Sequence, residues 1–136
     1  MTVSVQTLLL ARNSRPIAMG ITTLDVDVAN VAKPDVTQRL KFIVDSGATY
    51  SIVPTAVLRK LGIRPLKRET LQLADGNTIV RQKGGAIFKF RDHIGVSDVI
   101  FGEKGDATLL GALTLEALAL VLDPVKRTLR PMTLTL

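Results

Sequence analysis

The sequence has no cysteine, no tryptophan, one histidine and only 4% aromatic residues among its 136. Without thiols, neither a disulfide nor a thiolate metal site can form, and the redox compartment is left open. A base-stacking surface needs exposed rings, and this chain has few to offer. Any Ser-His-Asp arrangement would have to use His93, and no G-x-S-x-G elbow accompanies it. A histidine in a turn after Asp92 is expected to be simply exposed. No apolar stretch approaches the roughly 20 residues of a membrane span. The start, MTVSVQTLLLARNSRP, lacks both a basic residue ahead of its Leu run and a small-residue cleavage site. It reads as a poor signal peptide, and a cytoplasmic location is the expectation.

What is present is a chain of single-domain length with 46% apolar residues, so the core must be built from Val, Ile, Leu and Ala. The formal charge is +6, concentrated in Arg59, Lys60, Arg64, Lys67 and Arg68. Such a run permits a nucleic-acid or acidic-partner footprint. The plainer reading is a solvated helix end followed by a turn, because blocks of charge usually serve solubility. No binding module surrounds the run, so neither a nucleic-acid nor a membrane partner is expected.

The breaker cluster Asn13-Ser14-Arg15-Pro16 and the following Met19-Gly20 divide the chain into an extension, 1–18, and a compact domain, 19–136. From Ile21 the pattern ITTLDVDVANV alternates as a strand with one wet face. Asp25 and Asp27 share that face, and solvent exposure is a simpler account of them than a metal site. Lys33-Pro34-Asp35 reads as a turn, and RLKFIV as a second strand. Pro54 opens a short helix, PTAVLRKL, that Gly62 closes as a left-handed cap. LQLA, the hairpin signal Asp75-Gly76 and TIVRQ follow, then AIFKF, a turn at Asp92-His93 and a strand from Val96 to Phe101. TLLGALTLEALAL runs from strand into a short helix, and VLDPVKRTLRPMTLTL reads as a hairpin around Asp123-Pro124 with an alternating tail. Many short strands with two brief helices indicate a β-rich barrel or sandwich. The halves also rhyme, FIVDSGA before one helix and TLLGALT before the other.

The chemistry concentrates in FIVDSGATYSIV, residues 42–53. Asp45 is placed where both flanks head into a core, and a buried carboxylate must be partnered, protonated or useful. One account is a turn-former accepting backbone amides, a common role for Asp before Ser-Gly. The other is catalysis. The ordered series of Asp45-Ser46-Gly47-Ala48, Ser51, Ile52-Val53, a helix, a Gly-containing hairpin and Leu109-Leu110-Gly111 resembles the retropepsin-like aspartic proteases. The likeness is to the small bacterial relatives of retroviral proteases, over most of the chain, from about Gly20 to Pro131.

The resemblance implies an all-β fold, a closed acid-protease barrel with one or two short helices. It implies a half-site monomer that forms a symmetric homodimer, because the sequence holds one Asp-Ser-Gly loop where the family's active site needs two. Each subunit would supply one Asp45 to activate a water for peptide hydrolysis, with no metal and no cofactor. Ser46 would bond across the dimer, Gly47 would bring an amide to the carboxylate and Ala48 would touch a peptide or protein substrate. Ala74-Asp75-Gly76-Asn77 matches the flap, although it lacks the several glycines of the viral version. Leu110-Gly111 would pack beneath the catalytic loop. Retroviral members pair an acidic residue after the triplet with an Arg after the late glycine. Here those positions are Thr49 and Ala112, so both charges are missing together. Three functional classes remain open on sequence: the peptidase, a dimer of this fold retained for peptide binding or scaffolding without turnover, and a basic β-barrel for nucleic acid.

Overall fold

The computed structural model describes residues 22–123 and 125–136. The expected boundary between 18 and 19 lies outside the described residues. Among the described residues, nine strands and two short helices make a mostly β domain. In chain order they are β1 (Thr22–Asn30), β2 (Lys33–Val44), β3 (Ser51–Pro54), α1 (Thr55–Lys60), β4 (Lys67–Gln72), β5 (Thr78–Phe90), β6 (His93–Gly102), β7 (Leu109–Leu110), α2 (Ala112–Ala117), β8 (Leu120–Asp123) and β9 (Thr128–Pro131). Seven strands form one sheet in the order β1-β2-β7-β3-β6-β5-β4, and β1 also pairs with β5 through Asp27–Ala29. β8 and β9 form a separate antiparallel hairpin.

Alternation explains the apolar run before Asp45. Phe42 and Val44 point into the main core with Val26, Val28, Phe88 and Leu110. Ile43, on the opposite face of the pleat, joins Ala48, Ile52, Ile100, Ala107 and Leu109 in a second cluster. The end of β2 is therefore buried on both sides, unlike its exposed first half. With few aromatics available, ring packing in the core comes down to an edge-on contact of Phe42 with Phe88, centroids 6.1 Å apart. β2 and β7 run parallel, Ile43 beside Leu109 and Val44 beside Leu110. β3 lies against β7 on one side and parallel to β6 on the other.

Several expected boundaries move. The first turn lies at Val31-Ala32, because the Asn30 side chain accepts the Ala32 amide at 2.9 Å and turns the chain early. Lys33-Pro34-Asp35 thus belongs to β2, which tolerates Pro34 at its start. Lys67 and Arg68 are not helix end or turn but the beginning of β4, which pairs with β5 from Lys67–Lys83 to Gln72–Thr78. The 13 residues of β5 form one strand, antiparallel to β4 in its first half and to β6 in its second. Gly62 does follow α1 with φ of +77°. The alternating tail after Pro131 forms no strand; Leu134 and Leu136 are exposed. Asp27 is paired with Arg39, its neighbour across β1–β2, at 2.9 Å.

Candidate active site

Asp45 follows the last residue of β2 and is 5% exposed. Its amide donates to the Leu110 carbonyl at 2.9 Å, which continues the β2–β7 pairing by one residue and fixes where the side chain starts. The chain then turns at once. The Ala48 amide donates to the Asp45 carbonyl at 3.2 Å, and the Gly47 amide donates to Asp45 Oδ1 at 2.9 Å. Oδ2 is buried and has no hydrogen-bond partner among the described residues. Burial pushes the carboxyl's pKa up, and the Gly47 and Ala48 amides pull against that rise.

The second half of the chain cradles this loop. The Ala112 amide donates to the Ala48 carbonyl at 2.7 Å, and the Leu113 amide to the Thr49 carbonyl at 3.1 Å. Thr49 and Ala112 thus meet this region through main-chain bonds. Gly111 stands where a Cβ would lie 2.5 Å from the Tyr50 carbonyl oxygen and 2.9 Å from that of Ala48, so only glycine permits the approach. Its amide donates to Ser51 Oγ at 3.0 Å. Ser51 Oγ also bonds Thr114 Oγ1, which lies 3.0 Å from Ser97 Oγ. All three hydroxyls are buried, and they join β3, α2 and β6 beneath the loop.

In front of the loop is a cleft of about 550 Å³. Gly47, Ala48 and Tyr50 line one wall, and Leu71, Leu73 and Ala74 of the β4–β5 hairpin line the other, with Ile52 and Ile100 between them. Ser46 is exposed beside it, and Asp45 is not part of the lining. At the hairpin's tip the Gly76 amide donates to the Leu73 carbonyl at 3.0 Å and the Leu73 amide to the Asn77 carbonyl at 2.7 Å. Asn77 also bonds the Asp75 carboxylate from its amide and side chain, at 2.9 and 3.0 Å. Of the four residues matched to the flap, Ala74 reaches the cleft and the other three form the exposed tip.

Sequence reasoning did not find Ser97 and Thr114, nor the ionic cluster beside Tyr50. There Lys83 Nζ bonds Glu69 at 2.8 Å and Asp98 at 3.1 Å, and sits 4.8 Å from the centre of the Tyr50 ring. The Lys83 bond holds Glu69 below the usual carboxylate range, and the reciprocal contact raises Lys83. His93 is half-buried rather than freely exposed, because it starts β6, stacks on Phe90 and has Nδ1 2.8 Å from the Leu118 carbonyl. Among the described residues it has no hydrogen bond to a serine of the kind a nucleophilic triad needs. Among the described residues there is no group of three or more metal-ligating side chains.

Searches of curated proteins and of solved structures return no match. The family described as "gag-polyprotein putative aspartyl protease" matches residues 36–117, which is more than half of the chain and runs from β2 to the end of α2. That stretch contains Asp45, the hairpin and Leu110-Gly111, and on this match the chain belongs to that family of retropepsin-like aspartic proteases.

Proposed function

We propose that this protein is an aspartic endopeptidase that works as a symmetric homodimer, its β sheet forming the closed barrel of that fold, with Asp45 of each subunit flanking the scissile bond. The observation that carries the reading is the half-satisfied carboxylate. Oδ1 is held by the Gly47 amide, whereas Oδ2 is buried with nothing to bond it among the described residues. A lone buried carboxylate oxygen costs free energy, and a two-fold axis supplies a counterpart without any new residue.

Two carboxylates brought close cannot easily both ionise, so the pair holds one proton and titrates as a unit. Aspartic proteases are themselves the type case of this sharing, and the effect is adopted from them. The ionised member takes a proton from a water between the two, and the resulting hydroxide attacks the peptide carbonyl. The protonated member donates to the carbonyl oxygen as the tetrahedral intermediate forms. Burial raises the Asp45 pKa, which favours retention of the one shared proton. The β4–β5 hairpin would cover the peptide and exclude water. Aliphatic walls at Ile52, Leu71, Leu73 and Ile100 favour apolar side chains beside the cut.

A binding-only dimer is favoured by one observation, that Asp45 lies outside the cleft lining in the single chain. Incubation with an apolar peptide library, followed by mass spectrometry, separates the two. Cleavage by the wild type that Asp45→Asn and a statine-type inhibitor both abolish supports the peptidase. Equal peptide binding by both proteins with no new termini supports the binding module.

A further inference from the structure

The basic run Arg59 to Arg68 holds five cations and no acid in ten residues. Its place in the fold adds what composition alone did not show. Lys67 and Arg68 open β4, the strand whose Thr70, Leu71 and Gln72 line the cleft. At ~3.3 Å per residue, Arg68 is about 7 Å along that strand from Thr70. The preceding segment is strapped to the neighbouring strand. The Leu66 amide donates to the Lys83 carbonyl at 2.7 Å, and Gly84 leaves room for the Arg64 carbonyl, which would stand 2.8 Å from a Cβ there. The patch is therefore fixed relative to the cleft.

Its charges are unspent. Arg39, Arg81 and Lys83 each have a carboxylate, but Arg59, Lys60, Arg64 and Arg68 have none within 4 Å among the described residues. Lys67 is 59% exposed and its contact with Glu69 is 3.8 Å, while Glu69 is engaged at 2.8 Å by Lys83. Leu66, 81% exposed, stands among these cations. We propose that this surface is an extended docking site for an acidic segment of the protein substrate, lying outside the residues held in the cleft. This rests on the reading of the cleft as a peptide site. Charge complementarity selects the partner, since Lys67 and Arg68 open the strand whose later residues line the cleft and Arg64 precedes them in the strapped segment. Single-stranded nucleic acid is disfavoured because no aromatic residue lies in the run to stack on a base.

The test uses the full chain carrying Asp45→Asn, so that binding is read without turnover. Two labelled peptides share one apolar core; one has a four-residue Asp/Glu tail and the other a Ser/Gln tail. Fluorescence anisotropy at low salt is expected to show the acidic peptide binding about tenfold tighter, the scale of a handful of exposed ion pairs. The difference should collapse at 0.5 M NaCl, where the screening length is only a few ångströms. Arg64→Glu/Arg68→Glu should abolish the difference while the neutral peptide binds as before. Equal affinities at low salt, or a difference that survives in the charge-reversed variant, overturn the proposal. So does an RNA oligonucleotide or an anionic vesicle that binds the patch more tightly than the acidic peptide. Wild-type cleavage of the neutral peptide with no tail effect sinks the docking site and leaves the peptidase. Tail-dependent binding without any cleavage does the reverse.

Discussion

The backbone amide of Asp45 hangs from the Leu110 carbonyl at 2.9 Å, so the acid that ends one half of the chain is positioned by the strand that ends the other. One residue on from Leu110, Gly111 presses against the Tyr50 and Ala48 carbonyls. The site is thus a joint between two β-to-helix corners, and its parts are more than sixty residues apart in sequence.

That joint makes Gly111 intolerant of a side chain. Its φ of −96° suits any residue, so the constraint is purely one of space. Gly111→Ala would place a methyl group 2.5 Å from the Tyr50 main-chain oxygen, so the backbone itself would have to shift. A loss of about 2–3 kcal/mol is expected, as for other overpacked core sites, with activity falling further because the loop must move. Urea unfolding of the variant checks the first expectation and a peptide assay the second; wild-type values for both would place the corner elsewhere.

Beneath the loop, Ser51 and Thr114 act together. Ser51→Ala leaves the buried Gly111 amide without its partner and the Thr114 hydroxyl with Ser97 alone, at a cost of about 1–3 kcal/mol. Thr114→Val removes the same contact from the other side. The double variant should therefore lose less than the sum of the two, by roughly 0.5 kcal/mol or more. Strict additivity in a double-mutant cycle would mean the two hydroxyls are not coupled.

How legible this was differs by element. The turn at Asp45, the glycine after α1 and the Asp75-Gly76 hairpin are local, and their residues announce them. Asn30 misled, because a side chain bonding two residues onward moved a turn that Pro34 seemed to mark. β4 hid beneath its charges. Lys67 and Arg68 look like a solvated end, yet pairing with β5 makes them strand. Ser97 and Thr114 could not be found at all, since their meeting depends on β6 and α2 packing together and leaves no spacing signal.

The raised pKa of Asp45 has a sign that can be worked out. A carboxyl whose folded pKa lies above its unfolded value contributes no penalty below the unfolded value, near 4. As pH rises through the folded value, the native state must release a proton it prefers to keep, and stability falls. Asp45→Asn removes that loss. The variant is expected to melt above the wild type at pH 7 and to match it below pH 4. Calorimetry across this range checks it. A variant less stable than the wild type at neutral pH would mean the carboxylate is favourably paired in its ionised form.

The last expectation concerns the assembly. In the proposed homodimer, Thr49 and Ala112 stand where the resemblance expects an interface ion pair, each engaged through its main chain. Losing one charge would strand the other in a desolvated place, whereas losing both removes a cost along with a contact. Dimerisation should then depend little on ionic strength. Raising NaCl from 0.05 to 0.5 M shrinks the screening length severalfold, which weakens exposed ion pairs and leaves apolar contacts intact or slightly strengthened. Sedimentation equilibrium should give a dissociation constant that changes by less than about threefold over that range. A steep rise with salt would show that some other charged pair has taken over the interface.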